Sequence, residues 1–124
     1  MSDHAATIRR FWETTEARDW DGLGSLLSPD LVYETEQTRE RVRGRDGLLG
    51  LFRGFPGEWH VALRRVVADG DGGSSVVDAT LDGEPMVALT FFIFDGDGLM
   101  TRIEEWWPEP YEPPAGRAQL TERF

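Results

Sequence analysis

Helical spacing of apolar residues governs the first half of the chain, and strand-like runs govern the second. From Asp3 to Arg18, Ile8, Phe11 and Trp12 recur at the 3.6-residue period of an amphipathic helix. Ser2 or Asp3 is placed to cap its start. Asp19 suits the cap of a second, short helix with Leu23, Leu26 and Leu27 on its buried side, ended by Ser28-Pro29-Asp30. L-V-Y-E-T from Leu31 predicts a strand, and Thr38 to Val42 a second, shorter one. Gly44 to Phe55 returns to helix, with Leu48, Leu51, Phe52 and Phe55 on one stripe and Asp46 near the N-terminal dipole. Four strands follow at Trp59–Ala68, Ser74–Leu81, Glu84–Phe94 and Leu99–Trp107, separated by Asp-Gly turn clusters.

Helices first and hairpin strands afterwards predict an α+β domain, with helices on one face of a curved antiparallel sheet. Alternation along the last strand puts Leu99, Thr101, Ile103, Glu105 and Trp107 on one face, and Met100, Arg102, Glu104 and Trp106 on the other. The first set carries the aliphatic residues, so it is expected to face the helices, with Glu105 inside. A β-bulge near the end would exchange Glu104 for Glu105. The preceding strand is apolar on both faces, Val87, Leu89, Phe91 and Ile93 against Met86, Ala88, Phe92 and Phe94. A single helical layer covers only one of them. The other exceeds the apolar surface a soluble monomer tolerates. A homodimer through the outer sheet face would cover it, or residues 108–124, the Pro-rich tail, would fold back over it.

At 124 residues the chain is read as one domain, 1–124, large enough to bury about two-thirds of its surface. It has no Cys, so thiol chemistry and thiolate metal sites are excluded. Net charge is −10, which argues against nucleic acid and anionic membranes as partners. No apolar run approaches a membrane span or a signal peptide, and the expected location is the cytoplasm. All thirteen cations are Arg, which removes Schiff-base and lysine-base chemistry. With only His4 and His60, no histidine metal cluster forms, and neither a metal nor a cofactor is expected. D-G-D-G could open a calcium loop, but eleven residues beyond Asp95 stands Trp106 and beyond Asp69 stands Thr80, not Glu. These are hairpin turns. Carboxylates, two tyrosines, arginines and indoles remain as chemical groups.

Three segments together resemble the SnoaL-like branch of the nuclear transport factor 2-like superfamily over nearly the whole chain. They are I-R-R-F-W (8–12), L-V-Y-E-T-E-Q-T-R-E-R-V-R-G (31–44) and F-D-G-D-G-L-M-T-R-I-E-E-W-W-P-E-P-Y (94–111). The resemblance implies a cone-shaped fold in which three N-terminal helices and a strongly bent sheet enclose an apolar pocket with polar groups at its floor. It implies a small apolar molecule as partner and isomerase- or cyclase-type chemistry, although the fold also hosts plain binding proteins and interaction modules that dock another protein through the exposed sheet face. Members that catalyse place a carboxylate on the strand after the second helix or on the final strands. Here Thr35, or else Glu34, stands where isomerase-like members keep a base, and a Thr cannot abstract a carbon-bound proton. Glu105 stands where epoxide-hydrolase-like members have an acid, but V-V-D-A-T-L-D lacks their Arg-x-Asp partner.

Glu105 and Tyr33 are therefore the candidate catalytic pair. A carboxylate in an aromatic cavity resists ionisation and suits proton transfer, and Tyr33 could donate to a ligand carbonyl or enolate oxygen. The alternative for Glu105 is an ion pair with Arg41 or Arg65, and for Tyr33 an anchored core hydroxyl. Trp12, Thr35, Trp59, Phe91 and Trp107 are the expected ligand-binding walls, with plain core as the competing reading. Tyr111 would close the pocket mouth if the tail folds back. Asp78, His60 and the run 39–45 are expected on the outside.

Overall fold

The computed structural model describes residues 3–124. Its elements in chain order are α1 (His4–Ala17), α2 (Trp20–Gly24), β1 (Leu27–Thr35), β2 (Glu40–Arg43), α3 (Arg45–Gly54), β3 (Trp59–Ala68), β4 (Gly72–Leu81), β5 (Glu84–Phe94), β6 (Met100–Trp106) and a C-terminal 3-10 turn (Ala115–Leu120). Asp3 caps α1 through its carboxylate, which accepts from the Ala6 N–H at 3.0 Å; Ser2, the other candidate cap, lies outside the described residues. Asp19 caps α2 by accepting from the Gly22 N–H at 2.9 Å. Among the described residues no helix is long and apolar enough to cross a membrane.

The six strands form one sheet in the order β2-β1-β6-β5-β4-β3. Pairing is antiparallel except between β1 and β6, which run parallel because the chain returns to the middle of the sheet for its last strand. The α+β fold with a curved antiparallel sheet is as expected, and the one parallel pair is the detail that alternation does not reveal. Asp82 and Gly83, both at positive φ, close the β4–β5 hairpin as the Asp-Gly pair requires. Ser28-Pro29-Asp30, expected to terminate α2, instead lies inside β1. It forms an irregularity there, between the pairs Leu27–Met100 and Val32–Arg102, as fits a residue without a ladder donor.

α1 lies over β3 and β4, and α3 packs on β1, so the inner sheet face and the helices enclose the core. Ile8, Phe11, Leu23, Leu48, Phe92 and Ile103 are buried in it. The Phe11 ring meets those of Trp12, Phe52 and Phe92 edge-to-face at centroid distances of 4.9 to 6.1 Å. Each such side chain contributes about 1.5–3 kcal/mol by leaving water.

One bulge decides which side chains reach this core. In β6 the partner of Phe94 is Met100 and that of Ile93 is Arg102, so Thr101 is an extra residue. Met100, expected outside, therefore turns inward and is fully buried together with Ile103 and Glu105. Because the bulge sits at the start of the strand, the exchange of Glu104 for Glu105 does not occur.

Candidate active site

Glu105 is 2% exposed, on the inner face of β6. Its Oε1 accepts from the Tyr33 hydroxyl at 2.7 Å, and its Oε2 from the Thr90 hydroxyl at 3.1 Å. Tyr33 reaches it from β1 and Thr90 from β5, the two strands that flank β6. No cation pairs with it among the described residues: Arg41, one expected partner, is bound to Glu34. Burial pushes the Glu105 carboxyl above the ordinary glutamate range. Donation from Tyr33, then Thr90 and least the Trp107 side chain opposes the rise without cancelling it. Burial also pushes the Tyr33 phenol well above its ordinary value, with the adjacent carboxylate adding to the effect. Tyr33 therefore stays protonated and remains a donor.

The pair belongs to a longer buried feature. Strand register sets Thr35 opposite Glu105, Glu105 opposite Thr90, and Thr90 opposite Ser75. Ser75 in turn accepts from the Trp12 indole N–H at 3.0 Å. A row of oxygen-bearing side chains thus crosses β1, β6, β5 and β4 beneath the aromatic layer. Buried hydroxyls and a carboxyl each need a partner: Glu105 has Tyr33 and Thr90, and Ser75 has Trp12.

The expected walls divide. Trp12 is buried over β4, and Thr35 shares the face of Tyr33 by alternation. Trp107 is half-buried against the core, with its backbone N–H held by Gln37. Trp59 is not brought to the pair: β3 is the far edge of the sheet, three strands from β6. Its ring lies 3.5 Å beneath the Arg18 guanidinium carbon. Phe91 is also corrected. It is 49% exposed on the outer face, because Ala88, Thr90, Phe92 and Phe94 take the inner one. Thr90 went unnoticed in the sequence for the same reason. With both faces of β5 apolar, alternation alone does not choose the buried set, and only the register from the Asp95–Gly98 turn does.

Glu34 faces the other way, clasped by Arg41 and Arg102, and hydrogen bonding from Arg41 foremost holds its carboxyl below the ordinary range. Asp78 is exposed and paired with Arg64. His60 is exposed beside Glu16, and Tyr111 is exposed rather than laid over a pocket mouth. Two concavities stand out on the surface of the described residues. One, of about 180 Å³, is lined by residues of the β1–β2 hairpin including Thr35 and Arg41. The other, of about 280 Å³, lies on the outer face and includes Phe91 and Ile93. Neither includes Glu105 or Tyr33, which lie closed under Phe52 and Trp107. No group of acidic and histidine side chains suited to a metal occurs among the described residues.

The helix-covered curved sheet is the fold of nuclear transport factor 2-like proteins. A structure of that class from Burkholderia xenovorans, itself of unknown function, is 22% identical with a TM-score of 0.81, covering 96% of this chain and 93% of that one. The SnoaL-like domain model matches residues 8–103, and the chain belongs to the SnoaL-like family. A Kribbella flavida structure provisionally named a ketosteroid isomerase is 38% identical with a TM-score of 0.93, covering 98% of this chain and 89% of that one. An LEH-like epoxide hydrolase of M. tuberculosis shares the fold at 23% identity and a TM-score of 0.73, covering 85% of this chain and 82% of that one. No curated protein matches the chain.

Proposed function

We propose that the protein is a cofactor-independent enzyme that moves protons on a small apolar carbonyl compound, with Glu105 as general base or acid and Tyr33 as oxygen donor. The observation that carries this reading is the buried Glu105 carboxyl, held between two hydroxyls with no cation beside it. A carboxyl whose ionisation is resisted by burial is a stronger base than an ordinary glutamate, which suits general acid–base catalysis. Tyr33, which keeps its proton, is the group to stabilise an enolate oxygen. The Kribbella relative supports a ketone substrate. Lacking the Arg-x-Asp pattern, the chain is not expected to hydrolyse epoxides. Phe52 and Trp107, each only partly buried, form the cover that a ligand displaces to reach the pair. Solvent deuterium exchange at the α-carbon of a panel of cyclic ketones tests the reading. Glu105→Gln should abolish exchange while leaving the fold intact, and unchanged exchange would remove the proposal.

A second reading, a non-catalytic binder of an apolar ligand, is favoured by one observation. Both oxygens of Glu105 already have partners within the protein. In that case ligand affinity survives Glu105→Gln.

We also infer a homodimer through the outer sheet face. Phe91, Ile93 and Trp106 are all substantially exposed there, an apolar patch of the kind that pairs subunits. Such a contact is isologous and closes on itself.

A further inference from the structure

After β6 the chain continues as an arm, residues 108–124, that does not lie on its own domain. All of it is exposed except Pro113, which is partly covered. Its hydrogen bonds stay within it: Arg117 N–H to the Pro114 carbonyl, Thr121 hydroxyl to the Arg117 carbonyl, and Arg123 to Glu112 at 3.0 Å. The ion pair closes the arm into a hook around the 3-10 turn. Tyr111 is 83% exposed and Leu120 78%, with Phe124 also bare.

One exposed ion pair and a single turn are weak restraints against the conformational freedom of seventeen residues. Yet the arm follows a defined course. The Kribbella structure superposes over 98% of this chain at a TM-score of 0.93. At that coverage the match extends over most of the 17 residues of the arm. Little inside the chain holds it. The apolar side chains it carries are matched by the outer face of the same chain. There a concavity of about 280 Å³, lined by Phe91, Ile93, Arg102 and Glu104 among others, has room for an aromatic ring.

We propose that two copies exchange arms, the hook of each carrying Tyr111 and Leu120 onto the outer sheet face of the other. Reciprocal exchange about a two-fold axis uses both sticky surfaces and leaves none to propagate into fibres. The proposal rests on the sheet-face dimer inferred above and assigns the element that secures it.

Sedimentation equilibrium on the full chain and on the triple variant Tyr111→Ser, Leu120→Ser, Phe124→Ser tests it. A second measurement places a benzophenone amino acid at position 120 in a mixture of ¹⁴N- and ¹⁵N-labelled protein. The expected result is a dimer weakened at least about tenfold in the variant, with mixed-isotope cross-links from position 120 to β5 peptides. A dimer equally tight in the variant, with no mixed-isotope cross-links, would overturn the exchange and leave the sheet-face dimer standing. A monomeric parent chain would overturn both.

Discussion

Tyr33 and Glu105 stand 72 residues apart in sequence and 2.7 Å apart in space, the phenol of β1 donating to the carboxyl of β6. The contact exists because the last strand inserts parallel to the first, pairing Tyr33 with Ile103 and Thr35 with Glu105. It ties the polar floor of the domain to its topology.

Removing the donor should be costly. Tyr33→Phe leaves a buried carboxyl short of a partner, so a loss of about 1–3 kcal/mol is expected. The Glu105 pKa should rise further, since donation from Tyr33 now holds it down. Chemical denaturation and carboxyl NMR measure the two effects separately.

Thr90→Val should act in the same direction at the other oxygen, keeping shape while deleting the hydroxyl that Glu105 Oε2 accepts from. Turnover should fall in both variants if the carboxyl is catalytic. A Thr90→Val protein with unaltered stability and titration would show that this bond contributes nothing.

The pH dependence of stability follows from the raised Glu105 pKa. Between the unfolded value, about 4.3, and the higher folded value, the native state holds the proton more tightly than the unfolded chain. Stability is therefore full below the unfolded pKa and falls as pH rises through the folded one, by at most about 1.4 kcal/mol per pH unit. Glu105→Gln should remove this component of the slope. A slope identical in the two proteins would contradict the assignment.

The Thr101 bulge makes an asymmetric prediction. Met100→Ala should cost about 2–5 kcal/mol, as for a buried large side chain. Leu99→Ala, on the other side of the bulge and only half-buried, should cost less. Thermal unfolding of the two variants compares them directly.

How far the sequence carried the fold depends on what local pattern encodes. Helices α1 to α3 and strands β3 to β6 follow from periodicity and Asp-Gly turns, and Glu105 was placed inside by alternation alone. Met100 was placed outside because a bulge leaves no local trace, and only pairing with Phe94 reveals it. Phe91 lies outside and Thr90 inside, a choice that periodicity does not make because β5 is apolar on both faces. Trp59 looked like a pocket wall, but strand order puts β3 at the far edge, stacked beneath Arg18. Strand order and register are non-local, and no single segment carries them.

The pKa of Glu105, followed by carboxyl-carbon NMR with Glu105→Gln as the assignment control, tests the central claim most directly. A dry carboxyl between Tyr33 and Thr90 titrates above the ordinary value of about 4.3, and that is the expected result. A value at or below it would mean water or a cation at the site, and Glu105 would then be part of the architecture rather than of an active site.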